Sequence, residues 1–312
     1  MKVIVVGLGV QGEKRRQFAG LDFVASVDPV KEGAQYKKIT DVPLASYDAA
    51  LVCLPDQPKY EVIRYLLEQG KHVLVEKPLW TEKDEQLYEL QALASKNKLV
   101  CYTAYNHRFE PHFVRMKNLI DSGELGEIYH CRLFYGNGTA RLVRNSVWRD
   151  EGAGVLPDLG SHLLDTINFW FSQQPTLFEV VSMNTFENRA PDYAMLINKQ
   201  SSPQITFEMT LLSWRNHFVC DIYAEKGSAH IESLCKWGPS RFIHRKRILP
   251  SGRPTEQEVT LIQNDPTWEI EYAYFKKLIA EGSQTQLDTD LWIQQELHRL
   301  SEVYLSSEKV LA

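Results

Sequence analysis

Several features are missing from this 312-residue sequence, and each absence removes a class of protein. No apolar stretch reaches the length of a membrane span, so no membrane partner is expected. Cysteine is scarce: five residues, Cys53, Cys101, Cys131, Cys220 and Cys235, form an odd and scattered set without a C-x-x-C pair. That usage suits a reducing compartment, and suits neither a disulfide framework nor a zinc site, so no metal is expected. An excess of basic residues is also missing. Thirty-five Lys and Arg against forty Asp and Glu leave a net charge of −5, which gives no electrostatic reason to expect nucleic acid. There is no internal repeat and no low-complexity segment. Met1 leads straight into an apolar run, which leaves no room for a signal peptide and sets the expectation of a cytoplasmic protein.

What is present reads as an ordinary globular chain, 44% hydrophobic and 24% charged, long enough for two domains. Its leading feature lies at the start. Val3 to Val6 is a short β-branched run, too short for a helix, and reads as a buried parallel strand. Gly7, Gly9 and Gly12 follow at G-x-G-x-x-G spacing. One glycine permits a tight turn, the next lets backbone N–H groups approach a pyrophosphate, and the third lets the following helix pack on the sheet. With Val10 and Gln11 they form the candidate phosphate cradle at the positive end of a helix over about 11–18. A second apolar run, Phe23 to Val27, ends in Asp28, about 20 residues past the first glycine, where a carboxylate can accept ribose hydroxyls. The alternative is a generic strand–helix–strand unit in which Asp28 caps a turn.

The rhythm of strand and helix continues. Ala49–Leu54 reads as a buried strand stopped by Pro55-Asp-Gln-Pro58, and 60–68 as a helix ended by Gly70. His72–Val75 is a strand, Thr81 and Asp84 open a helix over about 82–97, and Leu99–Ala104 is a strand again. This predicts a doubly wound parallel sheet over 1–120. After Gly126 the texture changes to alternating strands at 128–135, 180–186, 195–198, 205–212, 218–224 and 229–231, interrupted by a helix over 159–171. The second domain, 121–312, is therefore expected to be α+β, with a mostly antiparallel open sheet and a helical tail from Trp268 broken near Gly282. An apolar outer face on that sheet would need covering, which predicts a homodimer or homotetramer built on it.

Three further stretches carry chemistry. Glu76-Lys77-Pro78 directly follows the fourth strand, at the end where ligands of such sheets lie. Lys77 there can donate to a substrate oxygen; alternatively the pair is a plain surface Glu–Lys before a helix. Tyr105-Asn106-His107-Arg108-Phe109 follows the last parallel strand. Asp158 and His162 stand four apart at a helix start, so that a carboxylate and an imidazole share one face. Their alternative is an N-cap and a buried structural histidine.

Together these motifs resemble the family of glucose–fructose oxidoreductase and inositol 2-dehydrogenase, often called the Gfo/Idh/MocA family. The resemblance runs from Gly7-x-Gly9-x-x-Gly12 through Glu76-Lys77-Pro78 and Asn106-His-Arg108-Phe109 to Gly154-x-x-x-Asp158-x-Gly160-x-His162, and on to Ala224-Glu-Lys-Gly227-Ser228 and Glu271-x-x-x-Phe275. It implies hydride transfer between a nicotinamide and a hydroxyl-bearing carbon of a sugar, nucleotide-sugar or cyclitol. It further implies that Lys77 and His162 contact the reacting hydroxyl, that Asp158 orients substrate, and that Leu54 and Pro55 lie near the adenine-side ribose and phosphates. Asn106 and Arg108 would support the nicotinamide end or the loop around it, and Glu76 and Lys77 are further candidates on the cofactor side. Relatives that reduce dihydrodiols or a tetrapyrrole often lack the Asp–His pair, and a non-catalytic dinucleotide sensor would not need it. One departure stands out. Where family members often show Thr-Pro with a histidine a few residues on, this chain has Leu54-Pro55-Asp-Gln-Pro-Lys-Tyr60.

Asp28 followed by Pro29 and Val30 favours NAD over NADP, because a carboxylate repels a 2′-phosphate; Lys31 keeps NADP possible. Arg108, Arg141, Arg144 and Arg149 are substrate-side candidates able to grip a carboxylate or phosphate, or else members of a solvated loop. The run Arg241 to Arg247 reads as a solvated hairpin, and Trp148, Trp214 and His217 read as sheet packing.

Overall fold

The computed structural model describes residues 1–146, 149–172, 177–198 and 202–311, with side chains through 305. The chain runs β1 (Val3–Val6), α1 (Val10–Ala19), β2 (Phe23–Val27), β3 (Ala49–Val52), α2 (Asp56–Glu68), β4 (His72–Glu76), α3 (Asp84–Lys96) and β5 (Cys101–Ala104). It continues through α4 (Pro111–Asp121), β6 (Ile128–Gly136), α5 (Ala140–Arg144), α6 (Ser161–Phe171), β7 (Glu179–Asn184), β8 (Tyr193–Ile197) and β9 (Gln204–Thr210). The remainder is β10 (His217–Ala224), β11 (Gly227–Glu232), β12 (Ser240–Ile248), β13 (Gly252–Leu261), α7 (Thr267–Glu281) and α8 (Asp288–Leu311).

Two compact units result: Met1–Asn106 with Pro266–Gln294, and His107–Asp265 with the chain from Gln295 on. The first ends earlier than position 120, and it reclaims a segment from far along the sequence. Both differences have packing causes. Helix α4 buries Phe113, whose ring lies 5.1 Å from that of Trp170 and 5.0 Å from that of Phe218, all in the second unit. Helix α7 buries Tyr272 and Phe275 against Val3, Val5, Ala49 and Leu51 of the first sheet. An amphipathic helix settles on whichever apolar face it covers, regardless of sequence distance.

The first unit carries five parallel strands in the order β2-β1-β3-β4-β5. The run Val3–Val6 is buried throughout because both faces are covered. One face packs on Ile63, Leu66 and Leu67 of α2 and Leu87, Leu90 and Ala94 of α3, the other on α7. From β1 the chain steps one way to β2 and then the other way to β3. That reversal opens a crevice at the carboxyl ends of β1 and β3. Helix α2 starts at Asp56, inside the segment expected only to stop a strand; Pro58 is tolerated in the first turn, where its N–H has no partner to lose. Helix α3 starts two residues later than expected. Thr81 does not cap it, because its backbone N–H and hydroxyl both go to the side-chain oxygen of Gln294.

The second unit is built on an eight-stranded sheet, β13-β12-β11-β10-β6-β9-β8-β7, antiparallel except for the β6–β9 pair. Its inner face (Cys131, Leu133, Tyr135, Phe207, Met209, Phe218, Cys220) is buried, and Phe113 of α4 links it to Trp170 of α6. The outer face is not the apolar surface expected. Arg132 pairs with Glu208 at 3.4 Å, and His230 meets Asp221 at 2.7 Å, between half-buried Phe134, Met195 and Val219. Strand β13 lacks apolar alternation and so escapes a pattern-based reading. It is held to β12 by backbone pairing and by ion pairs of Arg241 with Glu258 and Arg245 with Glu256, as a solvated hairpin. No described helix is long and apolar enough to cross a membrane.

At the centre of the first unit is a buried ion cluster. Arg15 Nε lies 2.6 Å from Glu76, its Nη1 lies 2.7 Å from Glu271, and its guanidinium stacks 4.2 Å from the Trp268 ring. Burial works against the cation, yet the two carboxylates hold the Arg15 pKa above its ordinary value. Arg15→Met would strand both carboxylates. We expect a loss of about 3–5 kcal/mol in urea denaturation followed by circular dichroism. A loss below about 1 kcal/mol would show that the cluster does not hold the unit together.

Candidate active site

The glycine turn is built by two close approaches. Gly7 adopts φ +90°, and a Cβ there would lie 2.4 Å from the Cys53 carbonyl oxygen. A Cβ on Gly12 would lie 1.8 Å from the carbonyl oxygen of Gly7. Gly9 differs: a Cβ there meets nothing within 4 Å. Gly9 precedes α1 without a side-chain cap, and Gly9, Val10 and Gln11 are exposed. The N–H groups of a first helical turn have no intrahelical acceptor, so this end of α1 can receive an anion. Asp28 ties the turn to the end of β2. One carboxylate oxygen accepts the Leu8 N–H at 2.7 Å, and the other accepts those of Val30 and Lys31 at 2.9 Å each. Partial burial opposes the charge, but the N–H donors of Lys31, Leu8 and Val30 hold the carboxyl below its usual range. Leu54 is half-buried and Pro55 exposed at the end of β3, on the same edge.

Glu76-Lys77-Pro78 follows β4, with the Lys77–Pro78 peptide cis and Lys77 half-buried. Glu76 is engaged by Arg15, which gives it a structural partner within the unit. Asn106 is buried and donates to the Thr267 hydroxyl at 2.8 Å, so its amide fastens α7 beside the end of β5.

A second group assembles within the other unit. Asp158 lies in a π-helical turn, Leu156–Gly160, that runs directly into α6 and places His162 one turn on. Such turns occur often at functional sites, where they re-aim side chains. The Asp158 carboxylate pairs with Arg149 at 3.0 Å. His162 is 8% exposed and stacks on His107, centroids 3.9 Å apart and planes 13° from parallel. Around this pair stand Tyr135, with its ring 5.5 Å from His107 and 6.1 Å from His162, and Lys236, whose Nζ is 3.4 Å from His107 Nε2. Burial, then the charge of Asp158, pushes the Tyr135 hydroxyl pKa up, so it stays protonated as a donor. Two imidazoles, a phenol, a carboxylate and an ammonium in one half-buried group can bind polar substituents and pass a proton.

The arginine candidates divide. Arg149 is brought to Asp158. Arg108 grips Asp165, a buried carboxylate on α6, through Nε and Nη2; burial pushes that carboxyl up while Arg108 pulls it down. Arg141 and Arg144 are exposed on the short helix α5. Trp214, expected to pack the sheet, is 96% exposed in the turn between β9 and β10. His217 is exposed and lies against Phe134 on the outer face. Trp148 lies outside the described residues. Sequence reasoning missed Arg15, His107, Tyr135 and Lys236 as members of these groups. His107 had a signal, since it sits between Asn106 and Arg108 in the motif; Tyr135 and Lys236 sit on an ordinary strand and a short turn.

One other set of side chains has a familiar chemistry without a matching site. Asp221, His230 and Ser228 form a hydrogen-bonded row on the outer sheet face, at 2.7 and 2.8 Å. Strands β10 and β11 each pair on both edges, so their N–H groups are spent in the ladder. With no backbone donors to stabilise an oxyanion, the row is a structural network.

Comparison with known proteins agrees with these features. Residues 1–105 match the family model described as oxidoreductase family, NAD-binding Rossmann fold, and residues 113–230 match the GFO/IDH/MocA C-terminal domain. An uncharacterized oxidoreductase of Schizosaccharomyces pombe is 36% identical over 124 residues, 39% of this chain and 33% of the relative. An inositol 2-dehydrogenase of Rhodococcus erythropolis is 36% identical over 136 residues, 43% of this chain and 37% of the relative. The chain thus matches about a third of the length of each. Levoglucosan dehydrogenase in complex with NADH shares the fold, with a TM-score of 0.79 at 18% identity over 97% of both chains.

Two outcomes check the turn. Gly9→Ala should leave the melting temperature unchanged and weaken NADH binding at least about tenfold by fluorescence titration, because its methyl enters only the space a pyrophosphate would use. Gly12→Ala should fail to fold; a well-folded, NADH-binding Gly12→Ala would refute the close approach. Asp28 gives a pH test. Its folded pKa is lowered, so its stabilisation is present above the unfolded value of about 3.9 and is lost as pH falls through the folded one. Asp28→Asn should be less stable than the parent at pH 7, with the difference shrinking below about pH 4; a difference independent of pH would contradict this.

Proposed function

The chain belongs to the Gfo/Idh/MocA family of oxidoreductases, and from that premise we propose a hydride transfer between NAD and a secondary hydroxyl or ketone of a sugar, nucleotide-sugar or cyclitol. The observation that carries this reading is the group around His162: an imidazole stacked on His107, one turn from a carboxylate that Arg149 holds in place. Oxidation of a C–H bearing a hydroxyl sends hydride to the nicotinamide and leaves a hydroxyl proton that needs a base. His162 takes that proton, or returns it in the reverse direction. Lys77 donates to the same oxygen and stabilises the charge that develops there as the bond to carbon changes. Asp158 and Tyr135 accept from and donate to neighbouring hydroxyls of the polyol and fix its face. Gly9, Val10 and Gln11 would hold the pyrophosphate of a dinucleotide at the turn and Asp28 its ribose, and the nicotinamide would supply the redox chemistry.

Asp28, with Pro29 and Val30 after it, favours NAD; Lys31 leaves NADP accessible. Arg108 and Asn106 hold structure in this scheme, and Arg149 acts through Asp158. The cytoplasm is the proposed location, and a homodimer or homotetramer through the outer sheet face the proposed assembly. The mixed face, with Phe134, Met195 and Val219 among Arg132, Glu208 and Asp221, suits a contact that matches charges as well as apolar area.

A panel of sugars, nucleotide-sugars and cyclitols assayed by NADH absorbance tests the reaction, and two variants test the roles. Lys77→Met and His162→Ala should each lower kcat by about a hundredfold or more and leave NADH affinity within about threefold. NADH binding without turnover across the whole panel would sink the reading. So would parallel loss of NADH affinity and turnover in both variants.

A further inference from the structure

Lys59 is an unusual expense for a small helix. Its side chain is 3% exposed, and its Nζ lies 2.7 Å from Asp56 Oδ1 and 2.7 Å from the carbonyl oxygen of Pro78, nineteen residues away. Burying an ammonium is costly, and for stability alone an apolar side chain of similar size serves as well or better. The partner explains the choice. Pro78 has no N–H, so its own backbone can be fastened by a hydrogen bond only through its carbonyl. On the other side of Lys77, the Glu76 carboxylate is held at 2.6 Å by Arg15, a second buried cation from a different helix. The two neighbours of Lys77 are therefore each pinned by a buried cation, Arg15 of α1 and Lys59 of α2. Farther along, Thr81 is tied to Gln294 by its N–H at 2.7 Å and its hydroxyl at 2.9 Å. A reacting group must be held within about half an ångström of its productive position, and misplacement by about 1 Å can cost about a hundredfold in rate.

We propose that Lys59 is a positioning residue for the reaction: with Arg15 it clamps the Glu76–Pro78 segment and so sets where the Lys77 ammonium stands. The inference rests on Lys77 having the role given above. It requires neither contact between Lys59 and substrate nor any part for Lys59 in cofactor binding, and this separates it from a general structural role.

The test compares Lys59→Met, Lys59→Gln and Lys77→Met in the full chain, with NADH and the best-turned-over polyol of the panel. Loss of the clamp should lower kcat of Lys59→Met about tenfold to a hundredfold, with polyol KM and NADH affinity within about threefold. Hydrogen exchange over 76–80 should quicken at least about tenfold while β4 and α2 stay protected. If Lys59→Met does not fold, Lys59→Gln, which keeps most of the volume and loses the charge, is judged by the same criteria. A folded variant whose kcat stays within about threefold of the parent overturns the inference, as does one in which turnover and NADH affinity fall together. Lys77→Met keeps the two failures apart. If it turns over like the parent, the role of Lys77 falls; if it is inactive while the Lys59 variants are not impaired, only the clamp falls.

Discussion

The guanidinium of Arg15 is the constraint on which the first unit depends. It joins α1, the end of β4 and α7, three segments that the sequence keeps far apart, with Arg15 and Glu271 buried and Glu76 partly so. One cation stands between two carboxylates in a buried place, and the face of Trp268 adds its attraction for the guanidinium. Such an arrangement is not the most stable way to fill that volume. Its benefit is geometric: a forked planar donor fixes the direction of each partner, which an apolar contact does not. The glycine turn and the loop after β4 are set by the same helix, α1, one from its first turn and the other from its interior.

The two groups of polar side chains obey different physics. In the first unit the cofactor end is shaped by backbone: close approaches at Gly7 and Gly12, an uncapped helix start, and N–H donors that keep Asp28 ionised. In the second unit the group is shaped by rings. His107 and His162 face each other at stacking distance, with Tyr135 and Phe113 around them. Two stacked imidazoles resist holding two positive charges, and the Lys236 ammonium beside His107 adds to that resistance. The stack and its ammonium neighbour thus disfavour the accumulation of positive charge at this place.

The first sheet was legible in the sequence because parallel strands are buried on both faces and read as short β-branched runs such as Val3–Val6 and Ala49–Val52. The glycine turn and Asp28 were legible for a similar reason, since steric demands leave few residue choices. Much of the rest depends on long-range pairing. Helix α7 could be read as a helix from its periodicity, but nothing local in 267–281 says that it returns to the first sheet. Strand β13 is almost wholly exposed, so the alternation that marks a half-buried strand is absent. Trp214 was assigned to packing from its chemistry alone, and the turn that carries it outranks that preference.

The site shows the same division. Glu76-Lys77-Pro78 and Asp158-x-Gly160-x-His162 stand out as strings, but the residues that aim them do not. Arg15 reads as one more helical arginine, and Lys59 reads as a surface lysine in a segment that departs from the family pattern. Burial is what changes their meaning. A lysine in water contributes little to geometry, whereas the same lysine 3% exposed between a carboxylate and a carbonyl must keep both bonds or strand its charge. The departure of the Leu54–Tyr60 segment from the family pattern is thus coherent with the loop that Lys59 supports. The Lys59 ammonium reaches the Pro78 carbonyl beside Lys77, and the Asp56 carboxylate, in the same first turn of α2, offsets the cost of burying it.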